Sequence, residues 1–147
     1  MAMKPMEEAL ELARVAVGED EVPVGAVVLL GDRIVGRGYN RREQDQSPIA
    51  HAEILAIQDA ARTLGSWRLV GCSLHVTLEP CPMCLAACQQ ARVERVVFGA
   101  RDPKGGALSL GFGLHEDARV NHRFPVVFEE NPACGEILSA FFAQKRK

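Results

Sequence analysis

Apolar positions along the chain switch between two spacings, and the switch points predict its elements. Met6, Leu10, Ala13 and Val17 recur at helical spacing behind Pro5, a good first-turn residue. Gly18 and the acidic Glu19-Asp20-Glu21 close that helix. Residues 24–30 are nearly continuously apolar, as in a strand covered on both faces. Gly31-Asp32 makes a turn, and residues 34–39 return as the second strand of a hairpin. Residues 40–48 are polar and end at a proline, so they read as a loop. Residues 51–64 are helical, with Ile54, Leu55 and Ile57 on the expected apolar side. Residues 72–78 alternate as a strand, Pro80 breaks it, and 81–91 form the next helix. A strand at 93–98, a Gly-rich loop at 102–113 and a short strand at 124–128 follow. Asn131 offers a cap and Pro132 a first-turn residue for a last helix through Phe142. This order implies β-α-β units in an α/β fold, with a mixed sheet and helices on both faces. No linker or internal repeat divides it, so residues 1–147 are expected to form one domain.

Composition narrows the class. At 147 residues, 48% hydrophobic and 24% charged, the chain can bury a sizeable core. Charged residues or Gly interrupt every apolar run, so no membrane span is expected. Nor does the N-terminus resemble a signal peptide. Five cysteines are an odd count for a disulfide framework and point to the reducing cytoplasm. Cys72, Cys88 and Cys134 are isolated and read as small buried hydrophobes. A net charge of −2 excludes a uniformly basic nucleic-acid binder. Any RNA contact needs a local basic face, for which Arg41, Arg42, Arg68, Arg92, Arg95, Arg101 and the tail Lys145-Arg146-Lys147 are candidates. Each of them alone also suits a solvated surface charge.

The candidate chemistry lies in two short runs, His51-Ala52-Glu53 and Pro80-Cys81-Pro82-Met83-Cys84. One imidazole and two thiolates suit a borderline-soft ion such as zinc. Three protein ligands leave the fourth tetrahedral position open, as catalysis requires. Cys-x-x-Cys at a helix start puts both sulfurs on one face, where the helix N-terminus favours thiolate. Such an ion lowers the pKa of a bound water from ~16 towards ~7. Glu53 is placed to move protons beside the open position. A lone Cys-x-x-Cys also suits a redox pair or half of a structural zinc site. No second Cys-x-x-Cys completes a four-cysteine cage, and the joint occurrence of all four residues favours the catalytic site. The H-x-E and P-C-x-x-C pattern resembles the signature of zinc-dependent nucleobase deaminases.

Longer runs sharpen that resemblance. They include Glu21-Val22-Pro23-Val24-Gly25-Ala26-Val27, Val76-Thr77-Leu78-Glu79-Pro80 and Phe98-Gly99-Ala100-Arg101-Asp102-Pro103-Lys104, with Asn121-His122-Arg123 later. Over almost its whole length the sequence resembles the bacterial tRNA-specific adenosine deaminases. The resemblance implies a cytidine-deaminase-like three-layer α/β/α fold with a five-stranded mixed sheet. It implies adenosine-to-inosine hydrolysis at the wobble position of a tRNA anticodon stem-loop, by a homodimer with one zinc per chain and no organic cofactor. His51, Cys81 and Cys84 match the zinc ligands and Glu53 the proton shuttle. Asn40, Ala52, Asp102 and Phe142 match substrate-contacting positions. Asn40 also suits a turn after a strand, Asp102 a turn cap, and the pair Phe141-Phe142 the packing of the last helix. Two departures stand out. Leu85-Ala86-Ala87-Cys88 lacks the usual Gly-Ala, for which a packing change is expected, and residues 110–118 differ from the family.

Rival readings share parts of this pattern. A deaminase of a free guanine or cytosine base or nucleoside would use the same four residues. A riboflavin-pathway deaminase domain would normally precede a reductase domain. A non-catalytic zinc-binding subunit would often lack the carboxylate that Glu53 supplies.

Overall fold

The computed structural model describes residues 4–146, so Lys147 of the basic tail and residues 1–3 lie outside the described residues. Helix α1 (Pro5–Gly18) opens on Pro5, with Glu7 and Glu8 in its first turn opposite the helix dipole. Its buried face is Ala9, Leu10, Ala13 and Ala16. Val17, expected inward, is largely exposed because Ala16 completes the stripe one position earlier. Strands β1 (Gly25–Leu30) and β2 (Arg33–Tyr39) form the expected hairpin, with Gly31 at φ 63° in the turn. Then come α2 (Ala52–Leu64), β3 (Cys72–Val76), α3 (Pro82–Ala91), β4 (Arg95–Phe98), β5 (Val126–Phe128) and α4 (Pro132–Lys145). Asn131 caps α4 as expected, its side chain accepting from the Ala133 backbone N–H.

The sheet runs β2-β1-β3-β4-β5. β1 is antiparallel to both β2 and β3, while β3, β4 and β5 are parallel. The mixed sheet and the helix-covered faces are therefore as the sequence implied. Helices α2 and α3 pack on one face with Ala26, Val28, Leu74, Val76, Val96 and Phe98 in the main core. α1 and α4 meet on the other face.

The apolar side of α2 differs from the expectation. Ala52, Ala56 and Ala60 are buried, and Ile54, Leu55 and Ile57 are only half-buried. Gly36 and Gly38 on β2 explain the choice. A Cβ on Gly36 would lie 2.8 Å from the Ala60 Cβ, and one on Gly38 would lie 2.6 Å from the Ala56 backbone nitrogen. The helix backbone presses onto the strand, and only alanines fit between them. That close approach fixes where the first residues of α2 stand.

Register then gathers one end of the sheet. Gly25 pairs with Tyr39, Ala26 with Val76, and Val76 with Phe98. The entry of β1, the exit of β2 and the exits of β3 and β4 therefore share one edge. Helices α2 and α3 both begin there, at the carboxyl ends of strands where ligand sites form in α/β sheets.

Candidate active site

His51 is the N-cap of α2 and Cys81 the N-cap of α3. Both have extended backbones, and neither side chain caps its own helix, so both remain free for a ligand. Cys84 follows in the first turn of α3, buried behind Cys81. His51 Nδ1 lies 3.6 Å from Cys81 Sγ and 3.5 Å from Cys84 Sγ. All three ligand atoms lie within 4.8 Å of one another. Zinc bonds of ~2.3 Å to sulfur and ~2.0 Å to nitrogen, at a tetrahedral angle, separate N from S by about 3.5 Å. The donor set therefore fits a zinc ion in both chemistry and spacing.

The charges point the same way. A hydrogen bond from the Cys84 thiol, helped by one with His51, holds the Cys81 thiol down at about 4. The same thiol–thiol bond and burial push Cys84 up. His51 is raised chiefly by its bond to Cys81. Two sulfurs competing for one negative charge beside an imidazole are the groups that a divalent cation would hold together.

Glu53 is buried in the first turn of α2, and burial pushes its carboxyl up to about 7. It lines a pocket of about 160 Å³ together with His51 and Cys81. Val22, Val24, Ala52 and Leu78 supply the apolar walls, and Asn40, Arg42, Glu79 and Asp102 further polar groups. The size and the mixture suit one planar heterocycle.

Asn40, Ala52 and Asp102, singled out from the sequence, thus lie on the same pocket. Asn40 is buried, its Nδ2 donating to the Val22 carbonyl at 3.1 Å and its Oδ1 accepting from the Arg42 N–H at 3.2 Å. One amide proton and one lone pair are left to face a ligand. Ala52, buried in the first turn of α2, leaves room beside Glu53. Asp102 also caps its own turn, Oδ1 accepting from the N–H groups of Lys104 and Gly105. Phe142 is not brought to the pocket. It sits on α4, 42% exposed, edge-on to the packed ring of Phe141.

The basic candidates divide by surroundings. Arg41 pairs with Glu19 and Asp45, and Arg95 reaches Glu129. Arg68 and Arg92 lie over Trp67, beyond the far end of α2. Arg101 lies 4.5 Å over the Phe128 ring, next to Asp102. Arg42 alone of these lines the pocket.

The sequence suggested for Glu21 only a part in closing α1 and for Glu79 no role at the site, yet both are only 2% exposed. Glu21 accepts from the Glu43 and Gln44 N–H groups and ties down the loop after Asn40. Glu79 accepts from the loop that carries Asp102. For Glu79 the one sequence signal was a carboxylate between an apolar strand and Pro80, and Glu21, last of three acidic residues, had none.

Comparison with known proteins agrees with this site. Residues 2–100 match the family described as the cytidine and deoxycytidylate deaminase zinc-binding region. The chain is 50% identical to the tRNA-specific adenosine deaminase of Bacillus subtilis (strain 168), over 97% of this chain and 89% of that one. It is 45% identical to the tRNA-specific adenosine deaminase of Agrobacterium fabrum, over 96% and 93%. A solved structure from a study of A-to-I editing by tRNA:A34 deaminases superposes with a TM-score of 0.85 at 44% identity, covering 91% of this chain and 98% of that one. A guanine deaminase from Nitrosomonas europaea superposes with 0.77 at 28% identity, covering 97% and 86%. The chain belongs to the tRNA-specific adenosine deaminase family, within the cytidine and deoxycytidylate deaminases.

Proposed function

We propose that this chain hydrolyses adenosine to inosine at the wobble position of tRNA anticodons, with one zinc ion per chain. The observation that carries the reading is one base-sized pocket lined by His51 and Cys81 of the three-donor zinc-type cluster, by the buried Glu53 carboxylate and by the half-free amide of Asn40. His51, Cys81 and Cys84 would hold the ion. Bound there, zinc supplies Lewis acidity and makes a water at its open position more acidic.

The remaining steps belong to the chain's own residues. An unpaired anticodon base is extruded into the pocket at low cost, because no duplex partner is lost. Asn40 offers a donor and an acceptor to the edge of the adenine, a pairing whose geometry the amide matches. The walls of Val22, Val24 and Leu78 exclude bulk water and bury the faces of the ring. Glu53 accepts the proton of the attacking water and donates it to the ring nitrogen. Once the water oxygen is bonded to C6, the same carboxyl takes the remaining hydroxyl proton and passes it to the amine, so that the C6–N bond breaks, ammonia leaves and C6 becomes a carbonyl. Burial of Glu53 keeps both of its protonation states reachable near neutral pH.

Arg42 lines the pocket and Arg101 adjoins the pocket residue Asp102 in sequence, and we assign both to the phosphates around the extruded nucleotide. The family resemblance extends the proposal to a homodimer and to cytoplasmic action on tRNA. The chain acts as one deaminase domain, a reading supported by the continuous sheet that the helices cover. Substituting Glu53 by Ala tests the chemistry. Turnover should be lost with about one zinc per chain retained. Full activity in that variant would contradict the proton role.

A further inference from the structure

Glu79 carries a full carboxylate into the protein interior, two residues before the Cys81 turn. Among the described residues no Lys, Arg or His forms an ion pair with it. Three hydrogen bonds receive it instead, and all come from one loop. Oε1 accepts from the Asp102 N–H at 3.1 Å and from the Ser109 hydroxyl at 2.7 Å. Oε2 accepts from the Ser109 N–H at 2.8 Å. The main chain beside it makes the same connection. Glu79 N–H donates to the Ala100 carbonyl, and Ala107 N–H donates to the Pro80 carbonyl, both at 2.8 Å.

The loop is built around that carboxylate. A Cβ on Gly106 would run into the Glu79 carboxylate and stand 2.7 Å from the Asp102 carbonyl. Asp102 closes the turn internally by accepting from Lys104 and Gly105. A buried carboxylate with three donors is strongly held, and a buried donor that loses its acceptor is costly.

We propose that Glu79 is a positioning residue, which clamps both ends of the 102–109 loop and so holds Asp102 against the wall of the base pocket. The residue touches no reacting atom in this account. Glu79 also borders the pocket, but its carboxylate oxygens are taken up by Asp102 and Ser109, so it acts through Asp102, and its consequence for substrate rests on the functional reading above. The amide of Glu79→Gln cannot satisfy all three donors, since its NH2 must face either the Asp102 N–H or the Ser109 N–H. Ser109→Ala removes only the hydroxyl and leaves both backbone donors bonded.

The test combines hydrogen exchange with kinetics on the zinc-loaded protein. In Glu79→Gln, exchange across residues 100–110 should accelerate about tenfold, the low end of the range for a part-buried donor that loses its acceptor. Exchange in α2 and α3 and the zinc content should stay as in the wild type. KM for an anticodon stem-loop should rise more than kcat falls. Ser109→Ala should show the same pattern more weakly, and it serves alone if Glu79→Gln does not fold. Unchanged exchange at 100–110, or acceleration spread evenly over the chain with loss of zinc, would overturn the clamp. If the wild type does not deaminate the stem-loop, the functional reading fails while the exchange result still decides the clamp.

Discussion

His51 Nδ1 stands 3.5 Å from Cys84 Sγ across 33 residues of sequence. Two helix starts at one end of the sheet make that meeting, at the spacing of two ligands on one zinc ion. Chelation should therefore remove about one zinc per chain and all deaminase activity. Because a ligand bound only to the native state stabilises it, unfolding should cost ~3 kcal/mol less after chelation. Thermal melts with and without added zinc measure this. A melting temperature indifferent to metal would count against the site.

Asn40 braces the pocket against the segment that joins α1 to β1, through the Val22 carbonyl. Asn40→Ala removes both the base contact and this brace. KM for the stem-loop should rise about tenfold, the loss of ~1.4 kcal/mol of binding. Zinc content should be unchanged. Steady-state kinetics beside metal analysis separates the two effects, and an unaltered KM would free Asn40 of a substrate role.

Gly38 lies under α2 with no space for a side chain. Gly38→Ala should destabilise the fold by ~1–3 kcal/mol through overpacking. Gly18 has nothing within 4 Å of where a Cβ would be, so Gly18→Ala is the control and should be neutral or slightly stabilising. Urea denaturation of the two variants decides. Equal effects would mean that the close approach of α2 and β2 has no energetic weight.

His75 sits in the middle of the sheet between Val27 and Val97. Burial, and then the Arg95 charge, lower its pKa below the ordinary 6.5, against a smaller opposing pull from Glu129. Ser73 Oγ lies 3.1 Å from its Nε2. The unfolded chain therefore takes up this proton at higher pH than the folded one. Stability is full above pH 6.5 and falls as pH drops from 6.5 through the folded value. Between pH 8 and pH 5 the urea midpoint of His75→Gln should fall less than that of the wild type. An equal fall would show that His75 contributes nothing to acid sensitivity.

Much of this was legible in the sequence because it depended on local signals. Pro5 and Pro132 open helices, Gly31 turns a hairpin, and His51, Glu53, Cys81 and Cys84 carry their chemistry in their spacing. What stayed hidden depended on pairing across the fold. Ile54, Leu55 and Ile57 look like the buried side of α2 until Gly36 and Gly38 bring the backbone of β2 against Ala56 and Ala60. Glu21 and Glu79 look like surface acids until distant backbone N–H groups surround them. The position of Phe142 depended on which of two adjacent rings α4 turned inward, and Phe141 took the core.

Single-turnover deamination of an anticodon stem-loop with adenosine at the wobble position, run beside free adenosine, cytidine and guanine, tests the central claim most directly. Inosine should form in the stem-loop alone, from protein carrying about one zinc per chain. Turnover of a free base or nucleoside with none in the stem-loop would contradict it, leaving the fold and the four site residues to serve a small-molecule deaminase.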